Sequence, residues 1–364
     1  MACVTETLLS ELTTIGVGGP ARRYVHAGSE EEIVDAVRAA DERGEPVLLL
    51  GGGSNLVVSD EGFDGTVIHV ASRGMSLEDH GEFVILTAAA GEIWDDVVRY
   101  TVEQGLTGLE TLSGIPGTAG ATPVQNVGAY GTEISQHFES ALVYDRKTAE
   151  TTTFRGDDLD FAYRDSLLKR EIHGGSPRYV VLSVRFRVER DRQSQPIRYA
   201  ELARRLGVDV GERAEAETVR QTVLGLRSGK GMVLDRSDRD TYSTGSFFTN
   251  PIIPTSEQSR VPEDAPRYPV LDPHGEVDPS KIKLSAAWLI QHAGFDKGFG
   301  LEGEARKLAG GRVSLSTKHT LAVTNRGGGT ADDVLAIARA VRDGVREEFG
   351  VTLEAEPVIM GLSL

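Results

Sequence analysis

The stretch Leu48-Leu49-Leu50-Gly51-Gly52-Gly53-Ser54-Asn55 decides how this chain is read. An apolar run of strand character, Pro46 to Leu50, stops abruptly at three glycines and two small polar side chains. Successive glycines lose much backbone entropy on folding, so a run of them needs a reason. One reason is a tight structural turn. The other is an anion cradle, in which backbone N–H groups face a pyrophosphate that approaches the main chain without meeting a Cβ. No helical pattern follows, so this is not the strand–glycine–helix arrangement of a dinucleotide fingerprint.

Working outward, Ala21 to Ala27 reads as a strand and Ser29 as a helix start with Glu32 three residues on, a capping-box spacing. Ile33, Val34, Val37 and Ala40 follow at helical spacing, and Leu56 to Ser59 and Thr66 to Val70 read as strands. A second unit has a strand at Phe83 to Ala89 and a helix at Glu92 to Glu103, with Trp94, Val97, Val98 and Val102 as core candidates. Gly105 closes that helix. Strands resume at Ser140 to Asp145 and Val180 to Val188, then helices at Arg198 to Leu206 and Ala214 to Arg227. Gly229 to Thr244 is polar and charged and reads as a linker or surface loop. A third unit holds a helix around Ser285 to Ala293 and a long amphipathic helix, Ala331 to Phe349. Its stripe is Val334, Ile337, Ala338, Val341, Val345 and Phe349, with Gly350 as the stop. Val351 to Leu362 reads as the last strand.

Between the second unit's first helix and its later strands lies Gly108 to Gly131, with six glycines and two prolines. Gly114-Ile115-Pro116-Gly117-Thr118-Ala119-Gly120 and Gln125-Asn126-Val127-Gly128-Ala129-Tyr130-Gly131 mix glycines with hydrogen-bonding side chains and one aromatic. That mixture suits a cofactor with both phosphates and a ring to recognise; a long Ω-loop is the structural alternative. Two other motifs fail on context. Gly16-Val17-Gly18-Gly19-Pro20-Ala21 matches G-x-G-x-x-A, but a strand follows where a helix is required. Gly225-Leu226-Arg227-Ser228-Gly229-Lys230-Gly231 lacks one residue of a P-loop and has Gly231 where magnesium needs a hydroxyl, so a helix end with a basic loop is read there.

Composition narrows the function classes. A length of 364 residues, 39% apolar and 26% charged, is that of a multidomain globular protein. The net charge of −16 excludes a nucleic-acid binder that works by counterion release, but not a local site for an anionic ligand. Cys3 is the one cysteine, so no internal disulfide forms and a reducing compartment is expected. The opening MACVTETLLSELTT has no basic n-region or apolar core, and no run of 18 apolar residues occurs, so a cytoplasmic protein is expected. The eight histidines, His26, His69, His80, His137, His173, His274, His292 and His319, are not paired at ligand spacing, and no metal site is expected.

Five motifs in order carry a resemblance: Gly51-Gly52-Gly53-Ser54-Asn55, Ser113-Gly114-Ile115-Pro116-Gly117, Gln125 to Gly131, Tyr163-Arg164-Asp165-Ser166, and Gly245-Ser246-Phe247-Phe248-Thr249-Asn250-Pro251. Together they resemble the UDP-N-acetylenolpyruvoylglucosamine reductase family of peptidoglycan precursor synthesis, from about Thr13 to Gly361. The resemblance implies an α+β chain: a vanillyl-alcohol-oxidase-like FAD-binding fold in two subdomains, plus a C-terminal α+β substrate-binding domain. The implied segments are 1–78, completed by strand 354–364; 79–232; and 233–353. It implies non-covalent FAD held by Leu50, Gly51, Gly52, Gly53, Ser54, Asn55, Ser113, Gly114, Ile115, Pro116, Gly117, Gly120, Gln125, Asn126, Gly128, Ala129, Tyr130 and Gly131. NADPH is the implied hydride donor, and the enolpyruvyl ether of UDP-N-acetylglucosamine the acceptor, giving UDP-N-acetylmuramic acid.

Hydride arriving at C3 of an enolpyruvyl group leaves negative charge at C2, delocalised into the carboxylate, and C2 then needs a proton. The resemblance assigns Arg164 and Glu356 to the enolate and Ser246 to the proton. By residue type alone, Arg164 is equally an ion-pair partner of Asp165 or Asp160, Ser246 a turn cap, and Glu356 a solvent-facing strand residue. In Leu353-Glu354-Ala355-Glu356-Pro357-Val358, Glu354 and Glu356 would share a strand face, and Pro357 requires an edge or a local break in pairing. The resemblance further implies Tyr163, Tyr199, Lys230, Asn250 and Tyr268 at the UDP-sugar, with Tyr199 on a loop that covers it; a partly buried aromatic at a helix start is the alternative for Tyr199. A monomer without membrane or nucleic-acid partners is expected. The competing activity is an FAD-dependent oxidase of another alcohol or sugar on the same fold.

Overall fold

The computed structural model describes residues 7–271 and 276–364; the readings made of Cys3, of residues 1–6 and of His274 lie outside them. The chain divides into two compact units, Ala21–Gly52 with Asp64–Val233, and Met1–Pro20 with Gly53–Phe63 and Leu234–Leu364.

In the first unit, strand Val47–Leu50 pairs parallel with strand Phe63–Val70, Val47 opposite Thr66 and Leu50 opposite His69. Strand Ala21–Ala27 lies on the far side of Phe63–Val70. Helix Glu30–Glu42 begins where Ser29 Oγ accepts the Glu32 N–H at 3.1 Å, and it buries Ile33, Val37 and Ala40 completely. The Glu32 side chain accepts the N–H of Gly28, one residue before the N-cap, at 2.6 Å, in place of the Ser29 N–H that a capping box would use.

A larger antiparallel sheet forms the unit's centre. Its order is Glu150–Arg155, Phe138–Asp145, Tyr179–Arg190, Phe83–Ala89, Met75–Asp79, with Leu106–Thr107 also on Tyr179–Arg190. The two edge strands are absent from the sequence reading because both are largely exposed: Glu150–Arg155 turns inward only at Phe154, and Met75–Asp79 alternates through Met75 and Leu77 alone, too short a pattern to read. Inner strands alternate as expected, with Val180, Val184, Phe186 and Val188 fully buried. Helix Trp94–Glu103 packs here through Trp94, Val97 and Val98, and Trp94 meets Phe186 edge-on at 5.4 Å. A smaller core joins Ile197, Leu202, Val219 and Val223, from the neighbourhood of helices Ala200–Leu206 and Ala216–Gly229.

In the second unit, helix Ala331–Phe349 has the bounds read from sequence. Thr330 and Asp333 form a capping box, Gly350 ends the helix at φ 65°, and every residue of the expected stripe is buried. Each of these side chains other than Ala338 contributes about 1.5–3 kcal/mol. It packs with Phe247, Phe248, Leu289, Val313 and Leu315. A three-stranded sheet, Ile252–Pro254, Val277–Leu284, Arg267–Leu271, was not legible in the sequence.

Two expectations are corrected. The expected surface loop 229–244 is not solvent-facing towards its end: Asp240, Thr241, Ser243 and Thr244 are buried. Asp240 accepts from Ser316 Oγ, the Thr317 N–H and Arg326 Nη2 at 2.9, 2.8 and 2.7 Å, which satisfies a charge that would otherwise resist burial. The last strand is only Val358–Met360, paired parallel with Leu56–Val58. Pro357, with no N–H, separates it from a single antiparallel bridge between Ala355 and Phe248. Among the described residues no helix is long and apolar enough to cross a membrane.

Candidate active site

In the first unit, the two glycine-rich regions meet main chain to main chain. A Cβ on Gly51 would stand 2.6 Å from Thr118 Oγ1, one on Gly52 2.9 Å from Gly117 Cα, and one on Gly120 2.5 Å from Ala90 Cβ. Only glycine permits this approach. The second region is anchored from helix Trp94–Glu103: the Trp94 N–H donates to Gly117 O at 3.1 Å, and Trp94 Nε1 to Leu112 O at 3.0 Å. Asp95 accepts the Gly114 N–H at 2.6 Å and is held in turn by both Arg220 nitrogens, at 2.7 and 2.8 Å. Burial opposes the Asp95 charge, but the Arg220 and Gly114 hydrogen bonds hold its pKa below the ordinary value. Ser113 is fully buried, its hydroxyl spent on Glu110 O at 2.6 Å, and Leu50 is likewise a core side chain. Such residues can meet a cofactor through the main chain.

Asn126 is also buried, with its side chain committed internally. Its Oδ1 accepts the Ser135 N–H at 3.0 Å, and Nδ2 donates to Glu133 Oε2 at 2.9 Å and Ala162 O at 3.1 Å. Gly128 and Ala129 pair with Glu133 and Thr132 in a two-strand hairpin. Arg164 reaches this hairpin, donating from Nη2 to Gly128 O at 2.7 Å and from Nη1 to Asn126 O at 3.3 Å, with its guanidinium 5.2 Å from the Tyr163 ring. Asp160 and Asp165 are paired with Arg170, and the carboxylate beside Arg164 is that of Glu133, 4.0 Å from Nη1.

Tyr199 is the N-cap residue of helix Ala200–Leu206 and meets Tyr130 edge-on at 5.4 Å. Burial pushes both phenol pKa values up. Lys230 ends helix Ala216–Gly229 and binds Glu201 at 2.8 Å. Sequence reasoning passed over Arg227, one turn before Lys230. Its Nη2 donates to Met232 O at 3.0 Å, while its Nε is buried with no hydrogen-bond partner. Burial lowers its pKa to about 10, partly offset by Tyr130. A desolvated guanidinium with a spare donor suits an anion. The signal available in the sequence was a second arginine two turns after Arg220 on the helix side that carries Val219, Val223 and Leu226.

In the second unit, Ser246 and Glu356 lie on neighbouring segments. The Glu356 N–H donates to Phe247 O at 2.9 Å and the Thr249 N–H to Glu354 O at 3.0 Å, on either side of the Phe248–Ala355 bridge. Ser246 and Glu356 are half-buried, whereas Glu354 is exposed. Phe247 and Phe248 are buried and pack edge-on at 5.1 Å, which anchors the Ser246 turn. Gly53 has φ 61°, and a Cβ there would lie 2.0 Å from Leu12 O. Asn55 Nδ2 donates to Glu356 O at 3.3 Å. Asn250 Oδ1 accepts the Ala286 N–H at 2.9 Å, helping to start helix Ala286–His292, and Tyr268 is 45% exposed on its strand.

The joined glycine segments, with space that a Cβ would fill, fit a phosphate-bearing cofactor. A family model described as an FAD binding domain matches residues 21–153, which include both segments. A second, described as UDP-N-acetylenolpyruvoylglucosamine reductase, C-terminal domain, matches 237–360, which include Ser246 and Glu356. The chain is 52% identical to the UDP-N-acetylenolpyruvoylglucosamine reductase of Streptomyces coelicolor, over 98% of this chain and 90% of the relative. It is 49% identical to that of Thermobifida fusca, over 98% and 97%. The crystal structure of the Thermus caldophilus reductase is similar with a TM-score of 0.62 at 25% identity, covering 98% of both chains. The expected fold class, an FAD-binding fold followed by a C-terminal α+β domain, is borne out, as is the resemblance carried by the five motifs. The chain belongs to the UDP-N-acetylenolpyruvoylglucosamine reductase family.

Proposed function

We propose that this chain reduces the enolpyruvyl ether of UDP-N-acetylglucosamine to UDP-N-acetylmuramic acid. The observation that carries the proposal is the backbone pairing that sets the Ser246 turn beside Glu356. In balance, NADPH, a proton and the enolpyruvyl ether give NADP⁺ and the lactyl ether. FAD, when bound along the glycine segments, supplies hydride transfer in two halves, from NADPH and then to the enolpyruvyl C3.

The protein's own residues handle charge and protons. Arg164, held to two carbonyls, sets its guanidinium charge against the charge that develops at C2 and on the carboxylate. Ser246 Oγ–H gives the proton to C2. Glu356 helps with the enolate only by donating, because an ionised carboxylate is an acceptor alone; it therefore acts as the neutral acid. Tyr163, Tyr199, Lys230, Asn250 and Tyr268 bind the UDP-sugar, Lys230 as a point charge for the diphosphate and Tyr199 as its cover. We read the chain functionally as segments 1–78 with 354–364, 79–232 and 233–353, acting as a cytoplasmic monomer in cell-wall precursor synthesis, and thereby in cell shape and division.

An anaerobic visible spectrum tests the proposal. A flavin absorbance that bleaches with NADPH and returns on adding the enolpyruvyl UDP-sugar is the expected result. Return with oxygen alone would indicate an oxidase, and no flavin after adding FAD would remove the cofactor assignment.

A further inference from the structure

Three non-glycine residues in the left-handed region, Asn126 (φ 45°), Tyr130 (φ 51°) and Arg164 (φ 56°), belong to one knot of chain. Such conformations cost about 1–3 kcal/mol each and persist where their surroundings over-determine them. Glu133 is the side chain that touches both halves of this knot. Its Oε2 accepts from Asn126 Nδ2 at 2.9 Å, and its Oε1 lies 4.0 Å from Arg164 Nη1. Asn126 in turn donates to Ala162 O, at the base of the turn that carries Arg164, where Ala162 and Asp165 bridge.

Gly128, opposite Glu133 in the hairpin, makes room for this. A Cβ at 128 would stand 2.8 Å from Glu133 Cγ and 3.3 Å from Arg164 Nη1. The two carbonyls that Arg164 bonds are neutral acceptors. A carboxylate adds the counter-charge that keeps a guanidinium from turning towards solvent. The other carboxylates of the turn, Asp160 and Asp165, are engaged by Arg170.

We propose that Glu133 is a positioning residue that locks the Arg164 guanidinium onto the 126–128 main chain, so that its charge is stationary when the enolate forms. This rests on the role given to Arg164 above. Displacement of such a group by about 1 Å costs on the order of 10²-fold in rate.

The test uses the holoenzyme. Glu133→Ala is expected to slow flavin reoxidation by the enolpyruvyl UDP-sugar by about 10²-fold, while reduction by NADPH keeps its rate. Glu133→Gln, which keeps an acceptor for Asn126 but not the charge, should fall between it and the parent. Glu133→Ala should also lose preference for binding UDP-N-acetylmuramic acid over UDP-N-acetylglucosamine, which lacks the carboxylate. In an Arg164→Lys background the Glu133 effect should largely vanish, because residues acting through one another are not additive. Equal slowing of both half-reactions, or full additivity with Arg164→Lys, would overturn the proposal. If Arg164→Lys is slow and Glu133→Ala is normal, only this inference fails. If Arg164→Lys itself reoxidises normally, the role of Arg164 fails first. Should Glu133→Ala not fold, the same comparisons with Glu133→Gln decide.

Discussion

Asn55 and Glu356 are joined across Pro357: Asn55 Nδ2 donates to Glu356 O at 3.3 Å, while Asn55 O accepts the Val358 N–H at 3.0 Å. Pro357 cannot donate, so this bracket replaces the ladder bond its position lacks. It ties Asn55 to the segment that presents Glu356, just before strand Val358–Met360. Asn55→Ala removes the side-chain half of the bracket. The expected cost is about 1 kcal/mol of stability, read by denaturant unfolding. Flavin reoxidation by the sugar should slow more than reduction by NADPH, because Glu356 is the group displaced. Loss of flavin with intact reoxidation per bound flavin would instead make Asn55 a cofactor ligand alone.

Ser246 sits on a turn fixed by two buried phenylalanines, so its removal should not disturb the frame. Ser246→Ala is expected to leave NADPH bleaching of the flavin intact. Reoxidation by the sugar should slow by about 10²- to 10⁴-fold, the usual worth of a general acid. Stopped-flow absorbance of the two half-reactions measures this directly. A twin loss in both would mean that the hydroxyl serves the fold.

What the sequence disclosed followed from what it can encode locally. Helix Ala331–Phe349 was legible because its stripe, cap and terminal glycine all agree. The glycine segments were legible as special, but not that Gly52 and Gly117 touch, since that contact is made between distant parts of the chain. Arg227 and Glu133 went unnoticed because a helical arginine and a hairpin glutamate are ordinarily solvated. Asp240 misled for the same reason: its polar neighbourhood reads as a loop until Ser316, Thr317 and Arg326 arrive from elsewhere in the chain.

Gly52→Ala tests the meeting of the glycine segments. The added methyl would meet Gly117 backbone at 2.9 and 3.3 Å, which has no side chain to move aside. The segments must part, and the expected result is a lowered flavin-to-protein absorbance ratio, with destabilisation of about 1–3 kcal/mol from overpacking. Gly44→Ala, where nothing lies within 4 Å but φ is 64°, supplies the comparison for backbone strain without the clash. Equal flavin content in both variants would count against the cradle.

Asp240 gives a pH signature. Burial alone would raise its pKa, but hydrogen bonds from Thr317, Arg326 and Ser316 outweigh this and lower it to about 2. A depressed folded-state pKa contributes stability that is complete above the unfolded value near 4 and is lost as pH falls towards 2. The contribution is about 2 kcal/mol at neutral pH. Asp240→Asn should therefore be destabilised at pH 7 by at least that amount, because Arg326 is left without its counter-charge. The gap between the variant and the parent should narrow between about pH 4 and pH 2. A gap that stays constant across that window, in urea melts at each pH, would assign the loss to packing.

Lys230 and Glu201 make the last case. Lys230 is assigned to the substrate diphosphate, yet it is bound at 2.8 Å to Glu201, two residues after Tyr199. A carboxylate in that place competes with phosphate for the same ammonium. Both side chains are about one-third exposed, so the pair is worth about 0–1 kcal/mol. Glu201→Gln should then tighten UDP binding by up to about fivefold, whereas Lys230→Ala should weaken it by about tenfold or more through loss of a charge-assisted bond. Both changes should shrink as salt is raised. Calorimetric titration with UDP alone separates this from catalysis. If Glu201→Gln weakens UDP binding, the ion pair holds helix Ala200–Leu206 and Tyr199 in place for the ligand. Lys230 would then act through the helix and not on the phosphate.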